Sequence, residues 1–197
     1  MLANAFTSIF VEEFKARAAL DGAAFAPLWH AGGPTWTRVM VHSENKNSVL
    51  EKTLVRWADQ TLGPNMISLH RWYTIDLMAV SPAFDQKMEY WYTRPVALVE
   101  HENRKDIETE LWKLAHWRAP LKVLAFYQFG EKWLDEKLTT ARRIVEGAQS
   151  SCPETDAEYL LLVGCNNRDG VTWRAESWQC GSTGWTSSSH ATGVLIG

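Results

Sequence analysis

Cysteine is scarce in this sequence: Cys152, Cys165 and Cys180 are the whole supply. The number is odd and no pair has the C-x-x-C spacing of a zinc centre, which predicts free thiols in a reducing compartment and no structural zinc. Positive charge is no more plentiful. Twenty Lys and Arg against 23 Asp and Glu leave a formal charge of −3, so any nucleic-acid partner needs a local basic surface. No stretch approaches the roughly 20 apolar residues that span a bilayer. The opening "MLANAFTSIFVEEFKARAAL" has no basic start, and Glu12, Glu13 and Lys15 break its hydrophobic part; no secretion signal is expected, and the cytoplasm is the expected location. No glycine-rich phosphate loop is present, which speaks against nucleoside triphosphate hydrolysis. Internal repeats and low-complexity linkers are absent too.

Apolar residues are plentiful. They make up 46% of 197 residues, with eleven tryptophans among them, enough for a single domain over 1–197 with one sizeable core. Periodicity predicts an N-terminal helix over 3–20, then a loop at "DGAAFAPLWHAGGP" and a short strand at "TWTRVMVH". In "NSVLEKTLVRWADQTLG", Leu50, Leu54, Trp57, Ala58 and Leu62 share one side and Gly63-Pro64 supplies a stop, the pattern of a helix. "MISLHRWYTIDLMAV" reads as one long strand or two linked ones, and "SPAFDQKMEY" as a turn with a short edge strand.

"VALVEHEN" reads as a buried strand, "DIETELWKLAHWRA" as a helix ended by Pro120, and "LKVLAFYQF" as another buried strand. Strand, helix and strand in this order make a right-handed crossover between parallel strands. A further helix at "EKWLDEKLTTARRIVEGA" precedes a C-terminal hairpin over 158–179, turning at Asp169-Gly170, and the tail "SSSHATGVLIG" is expected to be poorly ordered. The fold class is therefore α/β, a mixed β-sheet flanked by helices on both sides, with its core over about 44–167.

Chemistry is expected where the strands carry acids. Side chains alternate along a strand, so Glu100 and Glu102 share one face and His101 takes the other, as a core or supporting histidine. Asp76 lies inside an apolar strand, where unpaired acids are rare; a structural ion pair with Arg71 or Arg94 is the alternative. If the Asp76 and Glu100 strands are neighbours, three carboxylates converge, and a divalent cation offsets their repulsion most simply. Oxygen-only ligands select Mg²⁺ or Mn²⁺. Solvated acids at a strand exit remain the plainer reading of Glu100 and Glu102.

Asp76, then Glu100-His101-Glu102 closing an apolar strand, then a helix and "PLKVLAFY", resembles the PD-(D/E)xK nuclease superfamily over roughly Val49 to Phe129. The helix "EKTLVRWADQTLG" is similar to the one preceding the catalytic strands in many members, with Glu51 at the matching glutamate. The resemblance implies a restriction-endonuclease-like fold and Mg²⁺-dependent hydrolysis of DNA. It implies that Asp76 and Glu100 bind the metal, joined by the backbone carbonyl of His101, and that Glu51 supports a second ion or the attacking water. It also implies a possible homodimer, as restriction-type enzymes commonly are. Glu102 departs from the pattern, because most members place lysine there. A minority carry a second glutamate, which implies a general base or a ligand to a second metal; Lys105 or Lys113, just downstream, are the other sources of the missing charge. An inactive nuclease-like fold that binds nucleic acid or protein is the alternative function. Trp72, Trp91, Trp112 and Trp117 are candidates for base stacking. Arg94, Arg104, Lys105, Lys113, Arg118, Arg142 and Arg143 are candidates for a phosphate-binding surface.

Overall fold

The computed structural model describes residues 1–41, 47–64, 66–72, 74–80, 95–103, 106–127, 131–151, 153–167 and 170–195. Four helices come first: α1 (Leu2–Asp21), α2 (Phe25–Ala31), α3 (Gly33–Met40) and α4 (Val49–Thr61). Seven strands follow, β1 (Ser68–Trp72), β2 (Ile75–Val80), β3 (Ala97–Glu102), β4 (Leu121–Tyr127), β5 (Glu158–Asn167), β6 (Gly170–Gln179) and β7 (Thr186–Ala191). They form one sheet in chain order. β3, β4 and β5 are mutually parallel and the outer pairs antiparallel.

Parallel neighbours need a long crossover. Here α5 (Ile107–His116) joins β3 to β4, and α6 (Glu131–Ser151) joins β4 to β5. The expected mixed sheet between two helical layers is present. β4 is buried along its whole length, as its run LKVLAFY, broken only by Lys122, requires of a strand covered on both faces.

One face of the sheet packs Leu77, Val99, Val123 and Leu162 against α1 to α4, with Phe6, Phe10, Phe14, Trp36 and Trp57 filling the layer. The other packs Met78, Leu98, Leu124 and Leu161 against Leu111 and Leu114 of α5 and Leu138 and Val145 of α6. Period-two alternation assigns Asp76 and Glu100 to this second face, beside Met78 and Leu98.

Three expectations are corrected. The segment read as a loop holds a 3₁₀ turn (Gly22–Ala24) and α2; its Phe25 and Trp29 pack edge-on against Phe14 and Trp36, and that aromatic burial outweighs a glycine-rich composition. The segment read as a strand at 35–42 is largely α3: Pro34 opens it, and Trp36, Val39 and Met40 recur at helical spacing on its buried side. The tail is ordered as β7 over Thr186–Ala191, paired to β6, because an edge strand takes its main-chain bonds from the neighbour and needs few apolar side chains. The edge strand expected at "SPAFDQKMEY" and the Asp169 turn position lie outside the described residues.

Candidate functional site

β2 and β3 pair from Ala79 opposite Ala97 to Leu77 opposite Val99. One step further, backbone binds side chain. The Asp76 N–H donates to Glu100 Oε2 at 3.2 Å, and the His101 N–H donates to Asp76 Oδ2 at 2.9 Å. Each acid is thus held by the strand that carries the other. Glu100 is fully buried and Asp76 half-buried.

A lysine reaches the same point from α5. Lys113 Nζ lies 2.8 Å from Glu100 Oε1, pairs with Glu110 and donates to the Thr74 carbonyl at 2.7 Å. The approach to Glu100 is a charged contact onto an oxygen buried from solvent. Burial pushes the Glu100 carboxyl up, to about 9, with Asp76 and Glu110 adding to the rise and Lys113 pulling against it. For Lys113, burial works against the charge, but contact with Glu100 and Glu110 outweighs it and raises the pKa, so the ammonium persists at neutral pH.

A raised acid pKa means that the folded chain keeps a proton the unfolded chain releases. Between the ordinary 4.5 and about 9, stability therefore falls as pH rises, by up to about 1.4 kcal/mol per unit, with no contribution to the slope below that window. Urea denaturation at pH 5, 7 and 8.5 is expected to show this decline, and Glu100→Gln to flatten it. An equal slope in both proteins would contradict the assignment.

Beside this pair, a cleft of about 630 Å³ is lined by Asp76, Glu102, Glu110 and Lys113 together with Arg38 and Arg71, while Glu100 itself is buried. Glu102 shares the face of Glu100 but sits two residues on, about 6.6 Å along the strand. Among the described residues no three His, Cys, Asp or Glu side chains are grouped closely enough to hold a metal ion. Asp76 and Glu100 are together, and Glu102 lines the cleft. The counter-charge beside them is the chain's own Lys113, whereas Lys105 lies outside the described residues.

His101 turns to the opposite face, as alternation predicts. Tyr127 Oη accepts from Trp36 Nε1 at 2.5 Å and lies 2.8 Å from His101 Nε2. The direction of the second bond follows the His101 tautomer. Asn103 Nδ2 then ties the strand end to α3 through the Gly33 carbonyl at 3.1 Å and Thr37 Oγ1 at 2.8 Å.

Glu51 has a local explanation. It occupies the third position of a capping box, with the Ser48 N–H and hydroxyl donating to Glu51 Oε2 at 3.2 and 2.6 Å. It does not line the cleft, but Arg71 Nη2, on the cleft wall, lies 3.6 Å from its Oε1. Ser48→Ala is expected to cost about 1 kcal/mol of stability, measured by urea denaturation.

Arg38, Thr37 and Asn103 escaped sequence reasoning. Arg38 sits in the segment read as a strand, and Asn103 carries no charge or motif to mark it. Of the other candidates, Arg142 joins Arg174 on the buried Glu176, while Arg94, Arg104 and Trp91 lie outside the described residues. Cys165 and Cys180 are free thiols; burial pushes the Cys165 thiol up against the pull of Arg174, the opposite of nucleophile activation. No helix among the described residues is long and apolar enough to cross a membrane. Compared with protein-family models, curated proteins and solved structures, the chain matches none.

Proposed function

We propose that this chain is a metal-dependent nuclease of the PD-(D/E)xK type, with a restriction-endonuclease-like fold, that hydrolyses DNA phosphodiester bonds in the Asp76–Glu100 cleft. The observation that carries the reading is the reciprocal hold of Asp76 and Glu100 by the backbones of β3 and β2, which fixes two carboxylates side by side, Asp76 lining a cleft that Arg38 and Arg71 also line.

The donor set fits Mg²⁺ or Mn²⁺. Asp76 and Glu100 are hard oxygen ligands, Glu100 Oε1 is buried beside the Lys113 ammonium at 2.8 Å, and Mg²⁺ accepts one or two carboxylates while keeping its waters. Charge points the same way. Lys113 can offset one of Asp76, Glu100 and Glu110, and burial makes the Glu100 charge costly; a bound cation would lower that cost. When bound, the ion would polarise a phosphoryl oxygen and favour ionisation of a water.

The chain's own groups then divide the work. Asp76 and Glu100 would hold the ion, and the His101 carbonyl would be a further ligand. Glu102, which lines the cleft, would accept a proton from the attacking water or hold a second ion. Lys113 offsets charge building on the phosphate, the role that lysine at position 102 would otherwise have filled. Arg38 and Arg71 bind the flanking phosphates.

Plasmid nicking in Mg²⁺ or Mn²⁺ tests this, with Glu100→Gln as control. Nicking that requires both the ion and Glu100 supports it; unchanged plasmid with no divalent binding removes it.

The Lys113–Glu100 pair also favours a second reading, a nuclease-like fold without catalysis that binds nucleic acid or protein. An internal counter-charge lets the acids persist with no ion bound. Partner binding that survives combined replacement of Asp76, Glu100 and Glu102 by their amides, in a protein that does not nick DNA, would select this reading.

A further inference from the structure

A second groove, of about 420 Å³, lies between α5 and α6, away from the cleft. Its most unusual member is Trp112. The indole is 57% exposed, whereas Trp36, Trp57 and Trp173 are each at or below 2%. Exposing so large an apolar ring costs solvation free energy that a fold ordinarily recovers by burial. Trp112 is moreover held in place: its ring stacks on His116 with centroids 4.0 Å apart and planes 37° apart, and His116 Nδ1 sits 2.8 Å from the Trp112 carbonyl oxygen.

The charge around it is positive. Arg118 and Arg143 line the groove, and Arg143 has no ion pair or hydrogen bond among the described residues. The single acid in the lining is Glu154, 5% exposed, which is already paired with the buried Lys122. Its second oxygen, Oε1, is buried with no hydrogen-bond partner among the described residues, so the groove lining holds an acceptor in want of a donor. A platform ring, two guanidiniums and a buried acceptor together match a nucleotide: an aromatic face, a phosphate and an N–H on the base edge.

Position connects this groove to the cleft. Glu110 and Lys113 of the cleft and Trp112, Ala115 and His116 of the groove all belong to α5. At 3.6 residues per turn the two sets face about 140° apart, so the sites lie on either side of one helix about 10 Å thick. From this we infer that the α5–α6 groove binds an unpaired nucleobase of a single nucleic-acid strand, stacked on Trp112 with its phosphate on Arg143 and Arg118. The choice of nucleic acid rests on the nuclease reading of the cleft; the groove itself is a separate site.

The test is fluorescence anisotropy of a labelled 12-nucleotide oligothymidylate and of a 12-base-pair duplex, in EDTA, with the full chain. Trp112→Ala and Arg143→Ala change exposed side chains, and circular dichroism checks that each variant stays folded. The wild type is expected to bind the single strand more tightly than the duplex. Trp112→Ala should weaken single-strand binding by about 5- to 150-fold, the range of one stacked base, and Arg143→Ala should make binding less sensitive to salt. No saturable single-strand binding, or equal affinity in the wild type and Trp112→Ala, overturns the inference. Failure here with Glu100-dependent nicking intact removes the groove and leaves the nuclease; Trp112-dependent binding without nicking does the reverse.

Discussion

Glu100→Gln is expected to lower metal-dependent nicking by about 10³-fold while leaving the fold intact. The amide is nearly isosteric and can still accept the Asp76 N–H at Oε1, so the β2–β3 join survives. It has no charge for a cation. Transition-state charge stabilisation of this kind is typically worth two to four powers of ten in rate. The variant should also be more stable than the wild type above neutral pH, because it removes an acid whose ionisation burial resists, its pKa being raised to about 9. Activity and stability moving in opposite directions is a signature that simple structural damage does not produce. A variant that loses both would indicate that Glu100 serves the fold alone.

Lys113→Met is expected to separate catalysis from metal binding. In the protein as it stands the ammonium touches Glu100 Oε1, Glu110 and the Thr74 carbonyl, so it competes with any divalent ion for the same oxygen. Removing it should tighten Mn²⁺ binding several-fold, because two carboxylates lose their internal counter-charge. Nicking should nevertheless fall by about 10²-fold, since no cation is left to offset charge on the phosphate. Stability should fall by about 2 kcal/mol in metal-free buffer, less than the cost of breaking a fully buried pair because the lysine side chain is 16% exposed. Added Mn²⁺ should restore part of that loss through linkage. Calorimetric titration and nicking rates on one preparation check both halves. Parallel loss of affinity and rate would place Lys113 among the groups that build the metal site.

The sheet was legible in the sequence because its signals are local. The largely apolar runs of β4, broken only by Lys122, and of β5 from Tyr159 to Cys165 mark covered parallel strands, and alternation alone assigned Glu100 and His101 to opposite faces. What local pattern could not carry was the aromatic layer. Phe25, Trp29 and Trp36 make a segment rich in glycine and proline fold as helices, because their value lies in contacts with Phe14, Tyr127 and Trp173, distant in the chain. Gly32 and Gly33 have positive φ and read as a loop signal; in the structure they mark the boundary between two short helices.

The site divided in the same way. Asp76 was conspicuous as an acid inside an apolar strand, and Glu100 as the acid closing one. Spacing suggested Glu51, but the capping box with Ser48 accounts for its position without reference to chemistry. Lys113 was visible only as one of two possible donors of charge, since its reach depends on how α5 packs over β3, a tertiary fact. Arg38 and Asn103 had no local signal, being placed by α3 against the end of β3. The sequence argument also asked for an external cation to offset the acids, whereas the structure supplies Lys113 from within. An ion must therefore be tested for rather than assumed from charge.

The most direct test is a crystal soaked in Mn²⁺, read by anomalous scattering. The account predicts one strong peak about 2.1 Å from carboxylate oxygens of both Asp76 and Glu100, with Lys113 moved off Glu100 Oε1, and no peak in Glu100→Gln crystals. Full Mn²⁺ exposure with no density between the two acids, and Lys113 still seated on Glu100, would contradict it.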